Sequence, residues 1–228
     1  MAIQIMNRAR HWLPLLVALS GNSPYWLGTD TDYSSYRTEL FHRWPTAGIP
    51  EHFDTRADYD ALVRDLIATE AIDLPARLYW DLRPSARYDT LEFRAADVLG
   101  TVDEAVTIAA IVRALVETLH AEVRAGRPTQ VPRPELLRAA LWRAARYGLT
   151  DRLIDVREPT TRPAADLVHA LLDLIEPVLV ARGEWAEVVA TCQRLLLEGN
   201  GAQRQRLAFE RRGDLDDVVD MLVDATVA

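Results

Sequence analysis

The feature that most constrains the fold is a pair of segments with alternating apolar and polar residues, in a chain whose other periodicities are helical. The first segment covers residues 78–85 and the second covers residues 90–97. Alternation with a period of two is typical of strands, because successive side chains point to opposite faces. The short polar connection between them predicts an antiparallel pair. Its polar face would carry the side chains of Tyr79, Asp81, Arg83, Glu92 and Arg94.

Periodicity typical of helices covers most of the remaining chain. Helices are predicted at 58–71, from 101 to near 126, and at 135–147, 164–181, 184–198, 202–212 and 215–226. In the longest of these, the predicted apolar stripe is Val106, Ala109, Val112, Val116 and Leu119. Residues 149–163 are predicted to form a polar loop.

These patterns together predict the α+β class. We expect a partial antiparallel sheet packed with a predominantly helical C-terminal part. At 228 residues the chain can be one large domain or two small ones. We interpret residues 1–228 as a single domain, in which a loop and strand part at 1–100 carries the candidate site and a helical part follows at 101–228.

Residues 12–20 can be interpreted in two ways. Arg8 and Arg10 precede an apolar run, as in a secretory signal that would be cleaved from the mature protein. The run is too short to span a membrane, and no membrane partner is expected. The alternative is a buried amphipathic helix with Pro14 in its first turn, ending before Gly21. We favour the buried helix.

The charged residues exclude several classes of function. The net charge of -8 argues against a general nucleic-acid-binding protein, which needs a basic surface. All 26 basic residues are Arg, so Schiff-base chemistry and a phosphate-loop lysine are excluded within the chain. An anion would be held by Arg, backbone N–H groups or metal. With one cysteine, Cys192, no disulfide can form within the chain, which fits a reducing cytoplasm. Because its neighbours are apolar, Cys192 is interpreted as a core residue.

Three segments could carry chemistry. The polar strand face is either a solvated surface with cross-strand ion pairs or a sheet interior that binds metal and an anionic substrate. The Gly-rich turn at 199–201, followed by Arg204 and Arg206, is either a phosphate site at a helix N-terminus or an ordinary turn. The long loop at 21–55 carries the third set, Asn22, Ser23, Tyr36 and Arg37. From the residues alone, we favour a solvated strand face, an ordinary Gly-rich turn and, for the third set, surface residues of a turn.

The order in which ten short motifs occur along the chain favours the functional interpretations instead. They are Asn7-Arg8-Ala9-Arg10, Leu13-Pro14-Leu15-Leu16, Ala18-Leu19-Ser20, Asn22-Ser23-Pro24, Ser34-Ser35-Tyr36-Arg37, Arg43-Trp44-Pro45, Tyr79-Trp80-Asp81-Leu82-Arg83-Pro84-Ser85, Thr90-Leu91-Glu92-Phe93-Arg94, Leu137-Arg138-Ala139-Ala140-Leu141-Trp142-Arg143-Ala144-Ala145-Arg146 and Gly201-Ala202-Gln203-Arg204-Gln205-Arg206. In this order they resemble the bacterial carboxylate-amine ligases, the type 2 glutamate–cysteine ligases.

The resemblance implies an ATP-dependent ligase with a glutamine-synthetase-like catalytic fold, in which an antiparallel sheet forms a funnel. ATP would phosphorylate the side-chain carboxylate of glutamate, and the amine of cysteine would displace phosphate to give γ-glutamylcysteine. The cofactors would be ATP and Mg²⁺. The implied roles are metal binding for Glu92, catalysis for Asp81, Arg83 and Arg94, and cofactor binding for Asn22, Arg37, Arg204 and Arg206.

The same resemblance implies that part of the family pattern is not in this chain. Members begin with a Gly-Val-Glu-Glu-Glu strand and later carry a His-Val-His strand, and neither is found here. The chain is therefore similar to the C-terminal portion of a ligase catalytic domain. The alternative function is a non-catalytic truncated paralogue that acts as an interaction or oligomerisation module. It would pair with a second copy or with a full-length relative through an exposed sheet edge.

Overall fold

The computed structural model describes residues 1–227. They contain ten α-helices and three two-stranded antiparallel sheets, together with two short 3-10 helices and the connecting loops. The helices are α1 Ala2–Ala9, α2 Leu13–Ser20, α3 Tyr36–Phe41, α4 Arg56–Ala68, α5 Val102–Arg124, α6 Pro134–Tyr147, α7 Ala164–Ala181, α8 Trp185–Glu198, α9 Gly201–Glu210 and α10 Leu215–Val227. The strand pairs are β1 Tyr25–Trp26 with β2 Thr29–Asp30, β3 Leu82–Pro84 with β4 Leu91–Phe93, and β5 Arg152–Asp155 with β6 Thr160–Pro163. The α+β class is as predicted.

Helix α2 lies at the centre of the core. All eight of its residues are buried, and it packs on α6 and α7. Its apolar residues are distributed around the whole circumference, so it is a core helix rather than the amphipathic one that was expected. Pro14 is tolerated because the first turn of a helix has no hydrogen-bond acceptor for its missing N–H. Among the described residues, no helix combines the length and the apolar character needed to cross a membrane.

Helix α5 begins where it was predicted, but its buried face coincides only in part with the predicted stripe. The hydroxyl of Thr101 accepts a hydrogen bond from the N–H of Glu104 and caps the helix. Ile108, Ile111 and Leu115 face the core, whereas Val106 of the predicted stripe is 59% exposed. Apolar residues follow the helix on several faces, so periodicity alone could not decide which one packs against α1, α7 and α8.

Residues 149–163 form a hairpin and not the predicted loop. Strands β5 and β6 pair from Arg152 opposite Pro163 to Asp155 opposite Thr160. Leu153 is buried, and the buried carboxylate of Asp155 accepts hydrogen bonds from Arg157. The strands are only four residues long and rich in charge, which is why their alternation was not recognised.

Cys192 lies in the core, as predicted. It is 1% exposed on α8, and burial raises the pKa of its thiol to about 12. At neutral pH the group is therefore a protonated, inert thiol.

The connection between α8 and α9 depends on a buried asparagine. Asn200 is fully buried and caps α9 through a reciprocal pair of bonds with Gln203. Its side-chain amide also donates to the carbonyl of Ala18 and to the hydroxyl of Ser34, each at 2.9 Å. Gly148 has a φ of 56° at the end of α6, and a Cβ there would lie 2.7 Å from the Asn200 amide nitrogen. One side chain thus joins α2, the loop before α3, and α9.

We predict that Asn200→Ala lowers the free energy of unfolding by about 2–4 kcal/mol, because it removes a helix cap and leaves two buried partners unpaired. Thr55→Ala is the matched control, since Thr55 forms the same capping box at α4 but on the surface. It is expected to cost about 1 kcal/mol. Urea unfolding followed by circular dichroism measures both, and equal effects would contradict this account of Asn200.

Candidate active site

The β3–β4 pair places Arg83 directly opposite Glu92. Arg83 is buried, and its Nε donates to Glu92 Oε2 at 2.9 Å. Its Nη1 donates to three backbone carbonyls, those of Pro75, Ala76 and Leu78, at 3.3, 2.8 and 2.6 Å. The guanidinium is therefore fixed by the protein, and it fixes the Glu92 carboxylate in turn.

Arg94 is held quite differently. Its side chain is 30% exposed and its Nη1 lies 3.7 Å from Glu92 Oε2, beyond hydrogen-bond distance. Its Nε is buried without a hydrogen-bond partner. The guanidinium carbon lies 5.9 Å from the centre of the Tyr79 ring. In the described part of the chain the Arg94 guanidinium makes no hydrogen bond, so its donors can bind an anionic ligand.

Asp81 joins this region through its backbone, while its side chain faces a histidine. Its N–H donates to the carbonyl of Gly48, and its carbonyl accepts from the N–H of Arg94. The buried Asp81 Oδ2 lies 3.5 Å from Nε2 of His42, and neither atom has a hydrogen-bond partner. His42 was not among the predicted site residues, because nothing in the local sequence pattern at residue 42 indicates a contact with residue 81.

The Glu92 carboxylate is held in its ionised form. Burial raises its pKa. The hydrogen bonds from Arg83 and Ser85 and the charges of Arg83 and Arg94 lower it by more, so the pKa is below its usual value. Glu92 is thus available as an anionic oxygen ligand.

The loop after α2 is tied to the end of the second strand segment by Asp97. This buried carboxylate accepts hydrogen bonds from the N–H of Asn22, the hydroxyl of Ser23 and the hydroxyl of Ser35, at 2.9, 2.7 and 2.7 Å. Arg37, at the start of α3, donates to the carbonyl of Arg94 at 3.2 Å. The structure thus brings Ser23 and Arg37 beside the strand pair. The sequence offered no separate signal for Asp97.

The side chain of Asn22 is occupied by the protein. Its amide donates to the carbonyl of Val98, and its Oδ1 accepts from Gln205. The Asn22 side chain also covers the start of α9, where a Cβ on Gly201 would lie 1.9 Å from Asn22 Oδ1.

Arg204 and Arg206 are also bound to protein groups. Arg204 forms an ion pair with the buried Glu104 at 2.8 Å, and Arg206 donates to both carboxylate oxygens of Asp30 at 2.7 Å. Arg206 also donates to the carbonyl of Tyr33. A phosphate would have to open these pairs, so the contact of Arg204 and Arg206 with phosphate stays a prediction.

The strand pair offers one carboxylate to a metal ion. Within residues 1–227 there is no group of three or more His, Cys, Asp or Glu side chains with the geometry of a metal site. Mg²⁺ is commonly bound by one or two carboxylates together with substrate phosphates and water. Glu92 could be the one carboxylate ligand of Mg²⁺, and the remaining ligands would come from the phosphates and water.

Two clefts lie on either side of α3. One, of about 470 Å³, is lined by Tyr36, Arg37, Phe41 and Trp44 among others, and we call it the aromatic cleft. The other, also of about 470 Å³, is lined by residues that include Glu39, His42, Trp80 and Trp142. The aromatic cleft adjoins the strand pair, because Tyr79, which Arg94 covers, packs against Phe41 and Trp44.

We predict that Glu92→Gln lowers the free energy of unfolding by about 1 kcal/mol near neutral pH, the size typical of a partly exposed ion pair. Since the pKa of Glu92 is depressed in the folded state, this stabilisation is complete above the unfolded pKa of 4.5 and is lost as the pH falls through the folded value. Urea unfolding of both proteins across the acid range measures the difference.

Glu135→Gln is the control for this experiment, because Glu135 belongs to an exposed pair with Arg138 on α6. It is expected to change stability by less than about 0.5 kcal/mol. A Glu92→Gln effect that does not vary with pH would contradict the assignment of an ionised Glu92 held by Arg83.

Comparison with known proteins places these residues in a family context. The model of glutamate-cysteine ligase family 2 matches residues 1–221. "Putative glutamate--cysteine ligase 2" of Rhodopirellula baltica is 46% identical over 227 residues, which are 100% of this chain and 60% of that protein. "Putative glutamate--cysteine ligase 2-2" of Frankia alni is 45% identical over 225 residues, covering 99% of this chain and 59% of that protein. The chain thus spans about 60% of the length of these relatives.

A solved structure shares the fold. The crystal structure of glutamate–cysteine ligase from Francisella tularensis, in complex with AMP, matches with a TM-score of 0.66 and 15% sequence identity. The match covers 98% of this chain and 57% of that one.

Proposed function

The chain belongs to glutamate-cysteine ligase family 2, and from that premise we propose that it takes part in an ATP-dependent ligation of glutamate to an amine. The family and the fold support a carboxylate-amine ligase. The finer assignment to glutamate and ATP is our proposal. The family's description names cysteine as the amine, which would give γ-glutamylcysteine. The proposal applies to the site that includes β3 and β4.

The proposed reaction has two steps. A γ-carboxylate oxygen of glutamate attacks the γ-phosphorus of ATP, so that a new O–P bond forms and ADP leaves with the electron pair of the broken bond. The nitrogen of the amine then attacks the acyl carbon, a C–N bond forms, and the C–O bond to phosphate breaks. Phosphate leaves, and the nitrogen gives up a proton. Both steps develop negative charge on oxygen, which fixed positive groups can stabilise.

The observation that carries the proposal is the contrast between the two arginines of the strand pair. Arg83 has its donors bound to protein and keeps Glu92 in place. Arg94 is beside the same carboxylate with a buried Nε that has no partner. The Arg94 side chain is nevertheless 30% exposed, and the exposed part of its guanidinium can bind a carboxylate or phosphate oxygen of a substrate. We therefore assign anion binding to Arg94 and a positioning role to Arg83.

The other predicted residues take supporting roles in this proposal. Glu92 would be a ligand of Mg²⁺, which when bound neutralises charge on the phosphates. Asp81 would position the strand through its bonds to Gly48 and Arg94. Arg37 and Asn22 would shape the side of the site next to the loop at 21–37.

We predict that Arg94→Met lowers kcat/KM for amide formation by roughly 100-fold or more, the usual effect of removing a group that stabilises developing charge. Its effect on stability should be within about 1 kcal/mol, since the guanidinium has no hydrogen bond to lose. The measurement is ADP release that depends on both glutamate and the amine, together with mass spectrometry of the product.

Arg87→Met is the matched control, because Arg87 is an exposed arginine in the connection between the same two strands. It should retain the wild-type rate. Full activity of Arg94→Met would overturn the role given to Arg94. If the wild-type chain shows no binding of Mg²⁺–ATP by calorimetry and forms no amide, the ligase proposal for this chain fails.

A further inference from the structure

The aromatic cleft has the size of a small-molecule site. Its volume of about 470 Å³ lies in the range of ligand pockets. It opens between the β1–β2 hairpin and α3, and its lining includes Tyr25, Trp26, Tyr36, Arg37, Phe41 and Trp44.

The rings of the cleft are held by other rings and by Arg37, which lies over the Phe41 ring at 5.2 Å. Trp26 packs on Tyr36 with the ring centres 6.1 Å apart. Phe41 and Trp44 pack on Tyr79 at 5.6 and 5.7 Å. Even so, Trp26 is 47% exposed and Trp44 is 57% exposed. Exposed large rings around a concavity favour a flat, apolar group as the ligand.

The charged groups that line the cleft restrict the charge of the ligand it can bind. Of the lining residues that the structure describes, Arg37 is the charged one, and none is a carboxylate. Its Nη atoms donate to the carbonyls of Ala95 and Arg94 at 3.5 and 3.2 Å, and within the described residues its Nε–H has no hydrogen-bond partner. A guanidinium with a free donor suits a carboxylate. A ligand that is only a cation would be disfavoured.

The cleft also lies next to the proposed site of reaction. Arg37 bonds to the backbone of Arg94, and the ring of Tyr79 contacts the Arg94 guanidinium as well as the cleft residues Phe41 and Trp44. A molecule in the cleft is therefore close to the place where the activated carboxylate of the proposed ligase would sit.

We propose that the aromatic cleft binds the acceptor as an α-amino acid with an aromatic side chain, its ring among Trp26, Phe41 and Trp44 and its carboxylate on Arg37. The side chain of cysteine is too small to cover these rings. The identity of the ligand as the acceptor rests on the proposed ligase function, whereas its binding to the cleft does not.

Binding to the full chain is measured by isothermal titration calorimetry without ATP or glutamate. L-phenylalanine should bind at least about tenfold more tightly than L-cysteine, because only its ring covers the aromatic walls. It should also bind at least about tenfold more tightly than phenethylamine, which lacks the carboxylate for Arg37. Equal affinities for L-phenylalanine and L-cysteine would overturn the proposal.

Variants locate the bound molecule. Trp44→Ala and Arg37→Met should each weaken L-phenylalanine binding by at least about tenfold. The controls are Trp142→Ala, at another exposed tryptophan, and Arg43→Met, at a neighbouring arginine that does not line the cleft; both should bind as wild type. If AMP competes with L-phenylalanine and loses the same affinity in Trp44→Ala, the cleft is a nucleotide site and the proposal is wrong.

A product assay separates this inference from the proposed function. With ATP, Mg²⁺ and glutamate, γ-glutamylphenylalanine should form faster than γ-glutamylcysteine. If γ-glutamylcysteine forms and γ-glutamylphenylalanine does not, the acceptor assignment fails while the ligase proposal stands. If neither forms although L-phenylalanine binds in the cleft, the ligase proposal fails and the acceptor role falls with it, leaving the cleft as an aromatic amino-acid site.

Discussion

The arrangement of the candidate site depends on one buried carboxylate, that of Asp97. It accepts three hydrogen bonds from the loop at 22–35, at 2.7 to 2.9 Å, and its own N–H donates to Ser20 at the end of α2. A buried carboxylate needs such donors because desolvation is costly. Since Asp97 ends the segment that contains β4, these bonds hold the loop and α3 against the strand pair. Arg37 thereby comes to lie beside Arg94.

A chain without lysine uses its arginines for two different purposes. Arg83, Arg204 and Arg206 are bound by carboxylates and carbonyls of the protein, so they stabilise the fold around the site. Arg94 has donors that the protein does not use. The same residue type with the same charge is thus paired within the protein at three of these positions, whereas at the fourth its guanidinium makes no hydrogen bond in the described part of the chain. The burial of each arginine and its hydrogen-bond partners decide between the two roles. The role of an arginine therefore cannot be predicted from its charge alone.

The sequence predicted the strand pair and most of the helices, because these follow from local periodicity and backbone preferences. Arg83 and Glu92 face each other as the alternation implied. The contacts of His42, Asp97 and Glu104 could not be predicted in this way, since their partners lie far away in sequence. Glu104, in the first turn of α5, is one such residue: it is buried and forms ion pairs with Arg194 and Arg204.

The most direct test of the central claim, that Arg94 and Glu92 form an anion-binding site, is a crystal structure of the chain with glutamate, Mg²⁺ and a non-hydrolysable ATP analogue. The account predicts a carboxylate or phosphate oxygen within hydrogen-bond distance of the Arg94 guanidinium, with the Arg83–Glu92 pair unchanged. Ligands bound elsewhere, with the Arg94 guanidinium still without a partner, would contradict it.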